Sequence, residues 1–271
     1  MSHRFLAPQW RLGVQIEPAN LDVGVRAALY RALDRVALNE GLQPGHPELA
    51  AWEILPPGDP LYGATRDALR PYGYDPDRAR AGLAEAGWTL GPDGFMRHSS
   101  DGRRFRTAVA AVPGITREIP AYADYWRRIG LEVEEISIPT AHVRNPEYRA
   151  SYPGWEASAQ SGGDGILGRL EGPAASPQTR WVGNRGGYEE PRAQALIQAY
   201  RSSLTDNDRS RAMKALSDLV AAELPILVLF GTADFIGVRK GVKALEDHQG
   251  VTDWVGPYGT YTRNAHLWDV P

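Results

Sequence analysis

The stretch YPGWEASAQSGGDGILGRLEGPAASPQTRWVGNRGGYEEP, Tyr152 to Pro191, decides how this chain is organised. It shows no sustained helical or alternating pattern, and structureless runs beyond about 15 residues are uncommon inside a compact domain. Such runs are either working loops or linkers. This one carries Tyr152, Trp155, Trp181 and Tyr188 among its glycines and serines. Disordered linkers are poor in aromatic residues, because they bury too little apolar surface to offset ordering entropy. The stretch therefore reads as an ordered, ligand-facing segment held by regular elements on both sides. The plainer alternative is a surface excursion with a few anchoring aromatics.

Downstream, Pro191 opens a helix to about Ser203, and a second runs from Asp208 to Glu223 with Met213, Leu216 and Val220 inward. Leu227–Phe230 reads as a buried strand and Phe235–Val238 as a further short one, followed by an irregular tail. Upstream, Leu131–Ile138 is a strand whose apolar phase shifts between Val133 and Ile136, which suggests a bulge. Before it, Thr116–Ile129 has helical spacing at Ile119, Ala123, Trp126 and Ile129, with Pro120 tolerable in the first turn. The clearest local signal is YDPDRARAGLAEAGW, Tyr74–Trp88. Asp75 caps it, Pro76 takes the first helical position, and Gly87 stops it. Phe95–His98 and Arg104–Val112 follow as strands around Asp-Gly turns. Residues 42–74, rich in proline and glycine, read as a meandering loop. Residues 22–39 read as one amphipathic helix capped by Asp22, and the first 21 as irregular apart from a short strand at Arg11–Ile16. Helices alternate with strands, so the class is α/β, or α+β, with a mixed sheet.

Composition narrows the function. A chain of 271 residues with 42% hydrophobic and 23% charged residues can bury a full core. A net charge of −3 gives no case for nucleic acid or an anionic membrane surface. With no cysteine, disulfides, thiolate metal sites and cysteine nucleophiles are excluded. The start, MSHRFLAPQWRLGV, lacks an apolar signal-peptide core, and the longest apolar run, Leu224–Phe230, is strand-sized. The six histidines are scattered, with no HExxH spacing, so no metal site is expected. No GxSxG elbow is present, and Glu134 and Glu135, adjacent on a strand, point to opposite faces. Gly163, Gly165 and Gly168 spell GxGxxG, yet ASAQSG before them and RLEGPAASP after them suggest neither the strand nor the helix that a dinucleotide site requires. No catalytic residue and no cofactor are expected. The positive content is aromatic and polar: Trp155, Trp181, Asn184, Arg185 and Tyr188 offer flat faces and fixed donors suited to a small-molecule pocket.

Five segments, in order, resemble the family 5 extracytoplasmic solute-binding proteins of ABC importers, the dipeptide- and oligopeptide-binding group. They are VRAALYRALDR at Val25–Arg35, YDPDRARAGLAEAGW at Tyr74–Trp88, YWRRIGLEVEEISI at Tyr125–Ile138, the Gly-Trp element ending at Trp155, and Gly183–Phe230. The resemblance implies a mixed-sheet lobe of the periplasmic-binding-protein-like type II, dipeptide-binding-like fold. Residues 1–240 would form the carboxy-terminal ligand-binding lobe, and 241–271 a tail returning to an amino-terminal lobe that is missing here. It further implies a peptide or other small solute as ligand, ABC permease subunits as partners, and an extracytoplasmic location. Any membrane contact would run through the transporter or a lipid anchor outside this sequence. Peptide-binding relatives place an aspartate three residues after the cleft tryptophan, where it meets the peptide's amino terminus, and often an arginine three residues before it. Here those positions are Ser158 and Tyr152, with Asp164 and Arg149 near enough in sequence to substitute. The ligand set implied is Tyr152, Trp155, Ser158, Asp164, Trp181, Asn184, Arg185 and Tyr188. An α/β enzyme and a sensory or structural domain reusing the lobe stand as alternatives.

Overall fold

Ser2–Pro8 (β1) lies inside the main sheet, in a region where the sequence pattern points instead to Arg11–Ile16. That later segment alternates Leu12, Val14 and Ile16, but it forms a turn, with Val14 and Gln15 both donating backbone hydrogen bonds to Arg11 O. Leu12 is left 68% exposed. The structure, a computed structural model, describes residues 2–56, 59–161 and 164–232. The strand expected at Phe235–Val238 and the tail from 241 lie outside the described residues.

The other strands are β2 (Trp88–Leu90), β3 (Met96–His98), β4 (Arg106–Ala111), β5 (Glu132–Ser137), β6 (Trp155–Ser161) and β7 (Leu227–Thr232). The helices are α1 (Val23–Arg31), α2 (Arg35–Leu42), α3 (Tyr62–Thr65), α4 (Pro76–Glu85), α5 (Ile119–Arg128), α6 (Pro146–Ala150), α7 (Pro191–Ser202) and α8 (Asp206–Glu223). Five strands form one sheet in the order β5-β4-β6-β1-β7, and β2 pairs with β3 as a separate hairpin. β4 runs parallel to β5 and β6, while β1 runs antiparallel to both β6 and β7. The fold is the expected α/β with a mixed sheet. β4 and β7 are buried along nearly their whole length, as strands covered on both faces must be.

Local chemistry explains the boundaries. Asp22, Asp34 and Asp75 each accept a backbone N–H in the first turn of α1, α2 and α4. The second of these caps is why residues 22–39 are two helices and not one. α5 turns Ile119, Tyr122, Ala123 and Trp126 into the core. The bulge expected in the strand after it is absent, since β4 and β5 stay in register from Arg106↔Glu132 to Ala111↔Ser137. A shift occurs instead in β1, between Arg4 and Phe5 opposite β7.

β6 is the element that the sequence pattern conceals. WEASAQS has no β-branched residue, and its strand form comes from a seven-residue ladder with β1. Its entry requires Gly154: a Cβ there would stand 2.5 Å from the carbonyl oxygen of Ala108 and 2.7 Å from its nitrogen.

Candidate ligand-binding site

Side chains along a strand alternate between faces, so β6 sorts its own residues. Trp155 and Ala157 turn one way; Glu156 and Ser158 turn the other. On the first face, Trp155 is fully buried, 5.3 Å from Trp126, and its Nε1 donates to Asn20 Oδ1 at 3.1 Å. Asn20 in turn donates to Gln15 Oε1 and Thr107 Oγ1, both at 3.2 Å. This face is closed and satisfied.

On the second face, Glu156 is 1% exposed and sits among three guanidinium groups. Arg149 Nη2, from α6, donates to Oε1 at 2.6 Å. Arg169 Nη1 donates to Oε2 at 3.0 Å, and Arg185 Nη2 to Oε2 at 3.2 Å. Arg169 also donates through Nη2 to Ser158 Oγ at 2.9 Å. Burial alone would raise the Glu156 carboxyl, but Arg169, Arg185 and Arg149 hold it below its ordinary range. Arg185 goes down to about 10, chiefly because it is buried and also because Arg169 and Arg149 repel it. Beside this cluster lies a cavity of about 200 Å³, lined by Val143, Arg144, Arg149, Trp181, Val182 and Arg185 among others.

The residues read from the sequence therefore divide. Trp181 and Arg185 meet at the cavity, and Ser158 lies behind Arg185 through Arg169 and Glu156. Tyr152 is buried, with its hydroxyl on Pro8 O. Trp155 presents no face to solvent. Asn184, also buried, organises the loop: its Nδ2 donates to Tyr188 O at 2.6 Å, and its Oδ1 accepts from the backbone of Gly187 and Tyr188. Tyr188 donates to Glu223 Oε2 at 2.6 Å, with its ring 4.9 Å from Trp10. Asp164 opens a 3-10 turn, Asp164–Arg169. That turn corrects part of the GxGxxG reading. A strand, β6, does precede it, but the chain then enters only a short 3-10 turn, whose Ile166 and Leu167 are core residues. Glu156 and Arg169 were not singled out in the sequence. Period-two counting from Trp155 would have put Glu156 on the face of Ser158.

The model of the family described as bacterial extracellular solute-binding proteins, family 5 Middle, matches residues 2–173. The chain belongs to that family. Similar curated proteins include the heme-binding protein A of Haemophilus influenzae, 24% identical over 82% of this chain and 39% of the relative. The dipeptide-binding protein of Escherichia coli is 25% identical over 85% of this chain and 41% of its own length. Among solved structures, the oligopeptide-binding protein of Thermus thermophilus, complexed with a pentapeptide, superposes with a TM-score of 0.70 at 20% identity, covering 84% of this chain and 41% of the other. The chain spans about two fifths of the length of the curated relatives it matches.

Proposed function

We propose that this chain is the carboxy-terminal ligand-binding lobe of an extracytoplasmic receptor that delivers a small solute to an ABC importer. The observation that carries the reading is the pairing of family 5 membership with a prepared cavity at Trp181, Arg149 and Arg185, beside the Glu156 face of β6. Residues 1–240 form the lobe on this reading, and 241–271 return to an amino-terminal lobe encoded upstream. Capture is closure of the two lobes around the solute. Its partners are the permease subunits, and membrane contact runs through them or through a lipid anchor outside this sequence. The lobe binds and releases; it has no catalytic or metal-dependent step. Among the described residues, no group of His, Asp and Glu is placed to hold a metal ion, and no helix is long and apolar enough to cross a membrane.

Trp181, Arg149 and Arg185 contact the ligand in this reading. Asn184 holds the loop that carries Trp181 and Arg185, while Trp155 and Tyr188 anchor the fold away from the cavity. The decisive measurement is a thermal-shift screen of the chain joined to its upstream lobe, against peptides, sugars and metal chelates. A true ligand raises stability by RT ln(1 + [L]/Kd), about 2.7 kcal/mol at a hundredfold excess over Kd. A receptor that no small solute stabilises, or that turns a solute over, would defeat the reading.

A further inference from the structure

The loop that carries Trp181 does not rest on its own hydrogen bonds alone. Tyr188, near its end, is buried, and its hydroxyl donates to Glu223 Oε2 at 2.6 Å. Glu223 is the last residue of α8, 35 positions further along the chain. Burial and that bond push the Tyr188 phenol up, so it stays a donor across the physiological range. The same helix end is gripped from α1. Buried Arg26 donates through Nε to the carbonyl oxygens of Glu223 and Leu224, both at 3.1 Å, and through Nη2 to Glu223 O at 2.6 Å. Carbonyls at a helix C-terminus lack intrahelical partners and carry the negative end of the macrodipole, so a guanidinium suits them. Leu224 then turns the chain toward β7. It is fully buried with φ of 48° and ψ of 53°, a left-handed state that leucine keeps only where its surroundings impose it. We propose that Glu223, with Arg26 behind it, is a positioning residue for ligand capture: the end of α8 holds Tyr188, and Tyr188 holds the loop in the conformation that presents Trp181 to the cavity.

This deepens the receptor reading, and rests on it for what the loop does but not for how the loop is held. Three further observations converge on it. Trp10 links the two grips: its ring centroid is 4.5 Å from the Arg26 guanidinium and 4.9 Å from the Tyr188 ring, and its backbone N–H donates to Gly186 O at 2.8 Å. The loop is seated closely there, since a Cβ on Gly186 would stand 2.9 Å from the Tyr152 hydroxyl oxygen and 3.0 Å from Pro8 O. The front of the loop is tied separately, to α7, where Gln194 accepts from Gly172 N at 2.8 Å and donates to Leu170 O at 2.6 Å. Between these ties the backbone is strained: Arg180 and Trp181 are consecutive non-glycine residues with φ of 53° and 59°. Strain of this kind relaxes unless structure outside the segment resists it. Untying the Tyr188 end therefore gives Trp181 a way out of its present conformation, although the hydroxyl lost is remote from the cavity.

The test uses the 271-residue chain and its Tyr188→Phe, Glu223→Ala and Glu223→Gln variants, without added solute. The readouts are the Trp181 indole resonance, assigned by its loss in Trp181→Phe, and hydrogen exchange at the bonded backbone amides of Trp181, Gly187 and Tyr188. Tyr188→Phe keeps the buried ring and deletes only the hydroxyl. It should shift the Trp181 indole signal and speed exchange at those amides about tenfold or more, as expected for losing a hydrogen bond to a charged group. Glu223→Ala should do the same, and the double variant should add little to either. Glu223→Gln keeps an acceptor oxygen and should behave as the parent. The Trp155 indole, on the closed face of β6, should stay in place throughout. Unchanged exchange in Tyr188→Phe would overturn the proposal. So would faster exchange spread evenly over β6 and α8, which marks general destabilisation. A Glu223→Gln as disruptive as Glu223→Ala would overturn it too, because charge and not the bond to Tyr188 would then matter. The two readings fail separately. A loop that loosens as expected, in a two-lobe protein that no small solute stabilises, refutes the receptor alone. A receptor that a solute stabilises, with a loop indifferent to Tyr188→Phe, refutes the positioning alone.

Discussion

The two faces of β6 are built from one heptapeptide and obey opposite rules. Toward α5, Trp155 packs on Trp126, and its indole N–H ends in a closed hydrogen-bond set with Asn20, Gln15 and Thr107. Toward α6 and the loop, Glu156 meets three cations, two of them with a buried donor that has no partner among the described residues. The first face satisfies itself and stabilises the sheet. Among the described residues, the second keeps buried donors that none of them meets. A strand at the centre of a sheet can thus anchor a fold with one set of side chains and hold a site open with the alternate set.

The largest expected effect tests the closed face. Trp155→Ala removes a fully buried tryptophan and orphans Asn20 Oδ1, and should cost about 3–5 kcal/mol in urea unfolding. If it costs under about 1 kcal/mol, Trp155 is not an anchor and the contrast fails. The next tests the open face through Glu156. Glu156→Gln leaves three arginines with no counter-charge and should cost about 3 kcal/mol, because breaking a buried pair strands the partners. A neutral or stabilising outcome would mean that the cluster is already hydrated.

How much of this was legible in advance depends on where the information sits. α4, α7 and α8 announce themselves through Asp75, Pro191 and the Met213–Leu216–Val220 spacing, which are local signals. β6 does not, because Ala157, Ser158 and Ala159 have little strand propensity and are placed by pairing with Leu6, Phe5 and Arg4, some 150 residues away. Leu12, Val14 and Ile16 alternate as a strand would and still form a turn, because β1 had already taken the slot beside β6. The site divides in the same way. Trp181 and Arg185 were readable as residue types suited to ligands. The convergence of Arg149, Arg169 and Arg185 on Glu156 is a tertiary fact, which strand alternation could have hinted at only once β6 was recognised.

Acid sharpens the comparison, because a second titratable group lies on the open side. His3 pairs with Gln160 across the β1–β6 ladder, so it shares the Glu156 face. Burial pushes its imidazole down from 6.5 to about 4, and its Nε2 is buried with no partner among the described residues. A histidine depressed in the folded state contributes stability that is full above the unfolded value and is lost as pH falls toward the folded one. Glu156, also depressed, acts in the same direction at the acid end. Stability should therefore decline from about pH 6.5 to pH 4, by on the order of 3 kcal/mol from His3 alone. His3→Gln should flatten that window in urea midpoints measured across pH. A wild-type profile that is flat down to pH 4 would show that the imidazole is solvated.

The smallest expected effect discriminates most finely. Arg185 and Glu156 are partners in one ion pair, 3.0 Å apart, so a structural view of the cluster predicts similar losses when either is removed. The charge count predicts otherwise. Glu156 keeps Arg149 and Arg169 when Arg185 is gone, and the repulsion that helps to lower Arg185 to about 10 disappears with it. Arg185→Gln should then stay within about 1 kcal/mol of the parent, the loss of one hydrogen bond to a charged group being offset by the relief of like charge. The comparison is made by urea unfolding of Glu156→Gln and Arg185→Gln side by side at neutral pH, in low salt and then in about 0.5 M sodium chloride. Salt should narrow the gap between them only slightly, since buried charges are weakly screened. Equal losses in the two variants would make the arginines ordinary counter-ions of Glu156, and the open face of β6 would then be as self-contained as the closed one.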